Sequence, residues 1–183
     1  MENINILLVA FMFITILTLG IAGTLGELAE VVRNVERRNR DGLLIGWVLL
    51  LLFAYFTLFW HTADITLLEE WDFWLFLFAE TGPVLLLFST QIMLGALAEE
   101  PDGERSLAVR QSRFFIMLAL VQGWSIATGF VLGDGFSVPS ALDAIILVTC
   151  LVLAVSKNRP VHVAGLAVVW IAYLAGAVVN SLG

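Results

Sequence analysis

The chain has 183 residues, of which 60% are hydrophobic and only 14% are charged. Because this apolar share lies well above that of soluble domains, the composition excludes an ordinary water-soluble globule and indicates that lipid surrounds most side chains. The formal net charge of −7 argues against nucleic-acid binding, and the single cysteine, Cys150, rules out a disulfide framework. We expect Cys150 to be a small buried packing residue.

Six stretches are long and apolar enough to cross a bilayer, which takes about 20 residues of helix. They predict spans at 4–26, 43–61, 73–97, 114–132, 139–156 and 161–181. No segment alternates with period two as a transmembrane barrel would, and backbone groups in lipid must be satisfied internally. The sequence therefore predicts an all-α, single-domain bundle of about six transmembrane helices, and we expect its first span to be retained rather than cleaved as a signal peptide.

The positions of the charges orient this predicted bundle. All nine basic residues fall in the loops after spans 1, 3 and 5, namely Arg33, Arg37, Arg38, Arg40, Arg105, Arg110, Arg113, Lys157 and Arg159. Because basic loops stay in the cytoplasm, both termini are predicted to lie on the extracytoplasmic side. The opposite face is acidic and should attract cations. It carries Glu2, Asp64, Glu69, Glu70, Asp72 and Asp134.

Helix 1 is predicted to continue into the cytoplasm to about residue 38. Its apolar residues follow helical spacing and form one stripe, made by Leu28, Val31, Val32 and Val35. Such an overhang suits a lipid surface or a protein partner, and the sequence leaves both open. Small residues in spans 1 and 6 indicate close helix approach, within one bundle or between copies. They are Gly20, Ala22, Gly23, Gly26, Ala172, Ala175, Gly176 and Ala177.

The motifs of soluble enzymes do not occur in the sequence: it has no phosphate-binding loop, HExxH, GxSxG or Cys/His cluster. His61 and His162 are predicted to lie about one membrane thickness apart, so within one subunit they cannot share a haem or metal ion. Either histidine could by itself ligate a pigment or a haem, but we expect no cofactor. His61 is assigned to the aromatic belt beside Trp60, and His162 to a cytoplasmic turn. Enzymatic activity is disfavoured, because one buried acid without a base or nucleophile is too little for catalysis.

Two acidic residues fall inside predicted spans. Ser140 and Asp143 have the spacing of a capping box, so we expect Asp143 to serve the start of span 5. If Asp72 caps span 3, Glu80 lies eight residues farther along, about 12 Å below the membrane boundary. An ionisable group at that depth is a candidate functional residue, and Pro83 should open and kink the helix beside it.

Polar residues at similar predicted depth complete a candidate intramembrane site around Glu80. They are Tyr55, Gln122, Tyr173, Thr15 and His61. Since no Lys or Arg lies in that half of the membrane, we expect Glu80 to be protonated and to donate a hydrogen bond to a neighbour or to the carbonyl freed by Pro83. The site would either line a solute path or lock helices together, and the sequence leaves both open.

The order of compositional features carries a resemblance. A first span runs into a basic stretch, 27–40; a Trp-rich segment follows at Trp60 and 71–78; then come a proline-containing span and an Arg-plus-aromatic segment, 110–115. In this order the chain resembles a family of small uncharacterised polytopic bacterial inner-membrane proteins. The resemblance implies the fold and the bacterial inner membrane, and no activity. The span count and termini are also similar to those of bacterial urea/amide channels, whose motif residues do not occur here.

Two functions fit these features. The sequence favours a non-enzymatic accessory or structural subunit of a larger or oligomeric membrane assembly, because a hydrophilic path needs more lining groups than these spans supply. Its partners would be the lipid bilayer and other membrane subunits or copies of itself. The alternative is a small oligomeric channel or carrier for a cation, a proton or a small neutral solute, with Glu80 in the path.

Overall fold

The computed structural model describes residues 2–33, 42–65, 72–98, 104–131 and 135–182. Within these ranges the chain forms six α-helices: α1 (Glu2–Arg33), α2 (Gly42–Ile65), α3 (Phe73–Ala98), α4 (Glu104–Val131), α5 (Val138–Val155) and α6 (Arg159–Leu182). Each contains a segment long and apolar enough to cross a membrane. This confirms the prediction of an all-α chain with six helices of membrane-spanning length and composition.

Two helices extend past the apolar segments that predicted them. α1 continues to Arg33, and the rest of its predicted overhang, 34–38, lies outside the described residues. α4 begins at Glu104, ten residues before the predicted span. No Gly or Pro occurs between Glu104 and Arg113, so the helical hydrogen bonds continue through a polar segment that hydropathy alone does not assign to the span.

Side-chain caps mark the starts of α3 and α5. The Asp72 carboxylate accepts a hydrogen bond from the Leu75 amide at 2.6 Å, so Asp72 caps α3 as expected. The cap of α5 is Ser137, which has extended backbone and accepts from the Ser140 amide. Ser140 therefore lies inside α5, and the predicted Ser140–Asp143 capping box is wrong. The N-cap is the residue just before the helix whose backbone is not helical, and here that residue is Ser137.

The helices contact one another in a closed ring, in the order α1, α2, α6, α5, α4, α3, and α2 also contacts α3. Connections of three to eight residues join helices that follow one another in sequence, so these helices run antiparallel. We call the end of the bundle where α1, α3 and α5 begin the upper end. The other end, where α2, α4 and α6 begin, is the lower end.

Most buried side chains of the bundle are apolar. Near the lower end the Trp47 ring packs edge-on against Phe114 and Phe115, at centroid distances of 5.8 and 5.0 Å. Cys150 is fully buried, which confirms its expected packing role. A Cβ on Gly165 would lie 2.7 Å from a Leu153 methyl carbon, so the glycine allows α5 and α6 to approach.

His162 departs from its predicted place in a turn. It lies in the first turns of α6, is buried, and packs 5.3 Å from the Phe115 ring. Its Nε2 lies 3.0 Å from the Ser156 carbonyl oxygen, at the residue that ends α5. The side chain therefore joins the end of one helix to the start of the next, and the assignment of His162 to a turn is wrong.

Candidate functional site

A cavity of about 160 Å³ lies inside the ring, between α2, α3, α4, α5 and α6. Along α5 its lining runs from Pro139, in the first turn, to Ile146, which lies seven residues farther along the helix. Seven residues of helix correspond to about 10 Å, so the cavity reaches from near the upper end into the bundle. Its polar lining comes from Thr57, Gln122, Trp124, Ser125, Asp143 and Tyr173.

Small side chains create this space. Ala172 and Gly176 lie four residues apart on α6 and therefore share one face, and both line the cavity together with Ala177. Ala54 faces the same space from α2. Three of the four small residues of span 6 thus face the inside of one bundle, where they leave a cavity rather than a close helix contact, while Ala175 is not part of the lining.

Two hydrogen bonds between helices position the polar groups of the cavity. Ser125 Oγ of α4 donates to Asp143 Oδ2 of α5 at 2.7 Å. Gln122 Nε2, also of α4, donates to the Tyr173 hydroxyl oxygen of α6 at 2.8 Å. Gln122 and Ser125 are three residues apart and share one face of α4. The lining therefore combines a carboxylate, an amide, a phenol and a hydroxyl at one level of the bundle.

Trp124 links the cavity to α3. Its ring is part of the cavity lining, while its Nε1 donates to the Phe78 carbonyl oxygen at 2.7 Å. The ring also lies directly over Gly82, where any Cβ would overlap it. The indole thus packs against the turn of α3 that contains Glu80.

Glu80 is 5% exposed, and neither carboxyl oxygen has a hydrogen-bond partner among the described residues. The predicted hydrogen bond from Glu80 to Tyr55, Gln122, Tyr173 or the carbonyl freed by Pro83 is therefore wrong. Glu80 also does not line the cavity. α3 continues as helix through Pro83. Depth along a helix was predictable for Glu80, but the direction in which its side chain points was not.

The other residues of the predicted site do not come together but lie in different parts of the bundle. Gln122 and Tyr173 come together in the cavity. Tyr55 is fully buried and its hydroxyl shares a 2.9 Å hydrogen bond with Thr90, outside the cavity lining. Thr15 lies on an exposed face of α1 and donates to the Phe11 carbonyl of its own helix, so it does not join the site. His61 lies within α2, and its side chain is outside the described part of the chain.

Sequence reasoning did not place Asp143, Ser125 and Trp124 in the site. Asp143 was assigned to a cap because of the Ser140 spacing. A usable signal was present on α4, where Gln122 and Ser125 put two polar groups on one face of an otherwise apolar span. Among the residues that the structure describes, no three His, Cys, Asp or Glu side chains gather as metal ligands would.

No protein-family model matches this chain, and neither does a curated protein sequence or a solved structure. The assignment of a function therefore rests on the geometry of this cavity.

Proposed function

We propose that the chain is a multi-pass protein of a bacterial inner membrane that binds a small cation in its cavity and carries it through the bundle. The observation that carries this proposal is the position of Asp143, whose carboxylate lines the cavity and is held by Ser125 at 2.7 Å. Acidic residues inside a membrane bundle are costly and mark ion or substrate sites. The described lining contains this acidic residue and no basic one.

The lining chemistry favours a cation of the ammonium class. Oxygen atoms of Asp143, Ser125 and Tyr173 offer acceptors for N–H donors, and the Trp124 and Tyr173 rings offer faces that attract a positive charge. The volume limits the solute to a small one, since a cavity of about 150 Å³ holds a molecule the size of benzene. Ammonium, methylammonium and tetramethylammonium fall within this limit.

The charge distribution supports the same proposal. All nine basic residues belong to loops or helix ends at the lower end, so the positive-inside rule predicts that the upper end faces outward. The cavity begins near that upper end, at Pro139 and Ala177. Six acidic residues and no Lys or Arg fall there in the sequence, and such a surface raises the local concentration of cations.

Ligand-dependent stabilisation of the purified full chain tests the binding step. Methylammonium chloride should raise the apparent melting temperature of the wild type in detergent, because a ligand that binds only the folded state stabilises it. Asp143→Asn should lose this effect. Glu30→Gln, which removes an acid paired with Arg33 near the lower end, should keep it. Equal stabilisation of wild type and Asp143→Asn, or no effect of any ammonium ion on the wild type, would overturn the proposal.

Uptake of labelled methylammonium into proteoliposomes tests the carrying step. The wild type should accumulate label down its gradient, and Asp143→Asn should not exceed empty liposomes. Stabilisation without uptake would limit the protein to binding and would refute carriage.

An accessory or structural subunit is the second candidate, and one observation favours it. Most hydroxyls in the spans bond to a carbonyl of their own helix and, apart from Thr57, lie outside the cavity lining; these are Thr15, Thr18, Thr24, Thr57, Thr81, Ser89, Thr128 and Thr149. In that case the cavity holds water between packed helices. A stable larger complex after native purification, together with no response to ammonium ions, would support this function over the carrier.

A further inference from the structure

We propose that Glu80 is a proton-binding site outside the cavity and that Trp124 couples its proton to the cation, so that cation binding releases the proton. The coupling rests on the proposed cation binding, whereas the protonated state of Glu80 does not.

Among the residues that the structure describes, none offers a counter-charge to Glu80. α3 packs against α1, α2 and α4. Between residues 3 and 26 of α1, and between 114 and 131 of α4, the sequence has no ionisable residue. α2 contributes Tyr55, which bonds to Thr90, and near the upper end His61 and Asp64, whose side chains lie outside the described part.

Burial under these conditions selects the neutral carboxylic acid. Glu80 is 5% exposed, and neither of its oxygens has a hydrogen-bond donor among the described residues. A carboxylate in such a place would lose its hydration without compensation, whereas the protonated form loses much less. Glu80 therefore holds a proton in the resting bundle, and the proton can leave only when water or positive charge comes near.

Trp124 provides the connection between this site and the cavity. The indole lines the cavity on one side and bonds to the Phe78 carbonyl on the other, while its ring covers Gly82. Phe78 and Gly82 lie two residues before and after Glu80. Pro83 cannot donate to the Ala79 carbonyl, so this turn lacks one helical hydrogen bond and adjusts more easily than its neighbours.

A cation against the Trp124 ring would act on Glu80 in two ways. Its positive charge favours the carboxylate, and displacement of the indole opens the turn to water from the upper end. Glu80 then passes its proton to that water and becomes a carboxylate, so one positive charge enters as another leaves. By linkage, protonation of Glu80 must weaken cation binding by the same factor.

Infrared spectroscopy of the ligand-free protein tests whether Glu80 is protonated. At pH 7 the wild type should show a protonated-carboxyl band that is absent from Glu80→Gln, a variant of the same shape without a titrating group. Asp143→Asn serves as the control and should keep the band. A spectrum in which Glu80→Gln removes only carboxylate absorbance would overturn the assignment of a bound proton, whatever the outcome for cation binding.

The pH dependence of methylammonium binding tests the coupling. If one proton leaves for each cation bound, the Kd of the wild type falls by up to about tenfold per pH unit as pH rises. Glu80→Gln should bind with a Kd that no longer varies in this way, and titration in a weak buffer should release no proton from it. Trp124→Phe, which keeps a ring but loses the bond to Phe78, should bind the cation with a shallower pH dependence.

These outcomes separate the two proposals. Binding by wild type and Glu80→Gln with the same pH slope would overturn the coupling and leave the cation site intact. No binding by the wild type would overturn the cation site, and the infrared result would still decide the proton at Glu80.

Discussion

Replacing Gly20 by alanine should destabilise the bundle, although alanine is the better helix former. Gly20 is buried in α1, and any Cβ there would overlap the Tyr55 ring of α2. Tyr55 is fully buried and its hydroxyl is tied to Thr90 of α3 at 2.9 Å. The ring is rigid, so it cannot yield by changing a terminal torsion. The new methyl group must move the whole ring or separate α1 from α2.

The magnitude follows from three contributions. Overpacking a well-filled core costs about 1–3 kcal/mol. Displacing Tyr55 strains its hydrogen bond to Thr90, and such a bond between membrane helices is worth about 0.6 kcal/mol. Alanine returns up to about 1 kcal/mol of helix propensity. We expect a net loss of about 1–3 kcal/mol in the free energy of unfolding.

Gly26→Ala is a matched control on the same helix, because a Cβ at Gly26 has no neighbour within 4 Å. It should be neutral or slightly stabilising. Reversible unfolding of both variants in mixed micelles, with increasing denaturing detergent, measures the difference. The double variant Gly20→Ala, Tyr55→Leu should show a smaller additional cost of the alanine than the single variant does. If Gly20→Ala is as stable as Gly26→Ala, α1 and α2 do not approach at this glycine.

Three further predictions concern orientation and packing. A cysteine placed in 64–70 should react with an impermeant thiol reagent added to intact cells, and one in 102–106 should not. Background labelling should be low because Cys150 is buried. The opposite labelling pattern would show that the predicted orientation is wrong. Four basic residues of the first loop are to be changed to Glu, namely Arg33, Arg37, Arg38 and Arg40. The change should disturb insertion or lower the amount of protein in the membrane, since the first loop usually contributes most to orientation. Normal insertion with unchanged orientation would show that the later loops determine it. His162→Ala should lower the free energy of unfolding by about 1–3 kcal/mol, because the buried His162 ring contacts both the Ser156 carbonyl and the Phe115 ring. An unchanged value in the same detergent titration would refute a structural role of these contacts.

The sequence predicted the helices well because length and apolarity are sufficient to identify a membrane-spanning helix. It did not predict which way each side chain points. In a soluble helix the polar face marks the outside, but here both faces are apolar. Phe13 is buried while Phe11, two residues away, is 70% exposed, and hydropathy does not distinguish them.

The same limitation explains the errors at the candidate site. Glu80 and Gln122 lie at comparable depth, and the prediction placed them in one site for that reason alone. In the structure Gln122 bonds to Tyr173, whereas Glu80 has no such contact among the described residues. Thr15 shares this depth but lies on the exposed face of α1. Asp143 was misassigned for a different reason. Its spacing from Ser140 fits a cap, and only the backbone conformation of Ser137 shows where α5 begins.

The length of α5 has a consequence for the surrounding bilayer. α5 contains 18 residues, against 32 in α1. At 1.5 Å per residue it spans about 27 Å, which is less than the hydrocarbon thickness of about 30 Å in a typical membrane. A short span produces hydrophobic mismatch, and the bilayer beside it thins to match its length. Pro139 and the cavity lie at the upper end of this helix, so water should approach the cavity most closely where the membrane is locally thinnest. Lipids with longer acyl chains should therefore hinder the proposed entry of cations without touching any residue of the cavity.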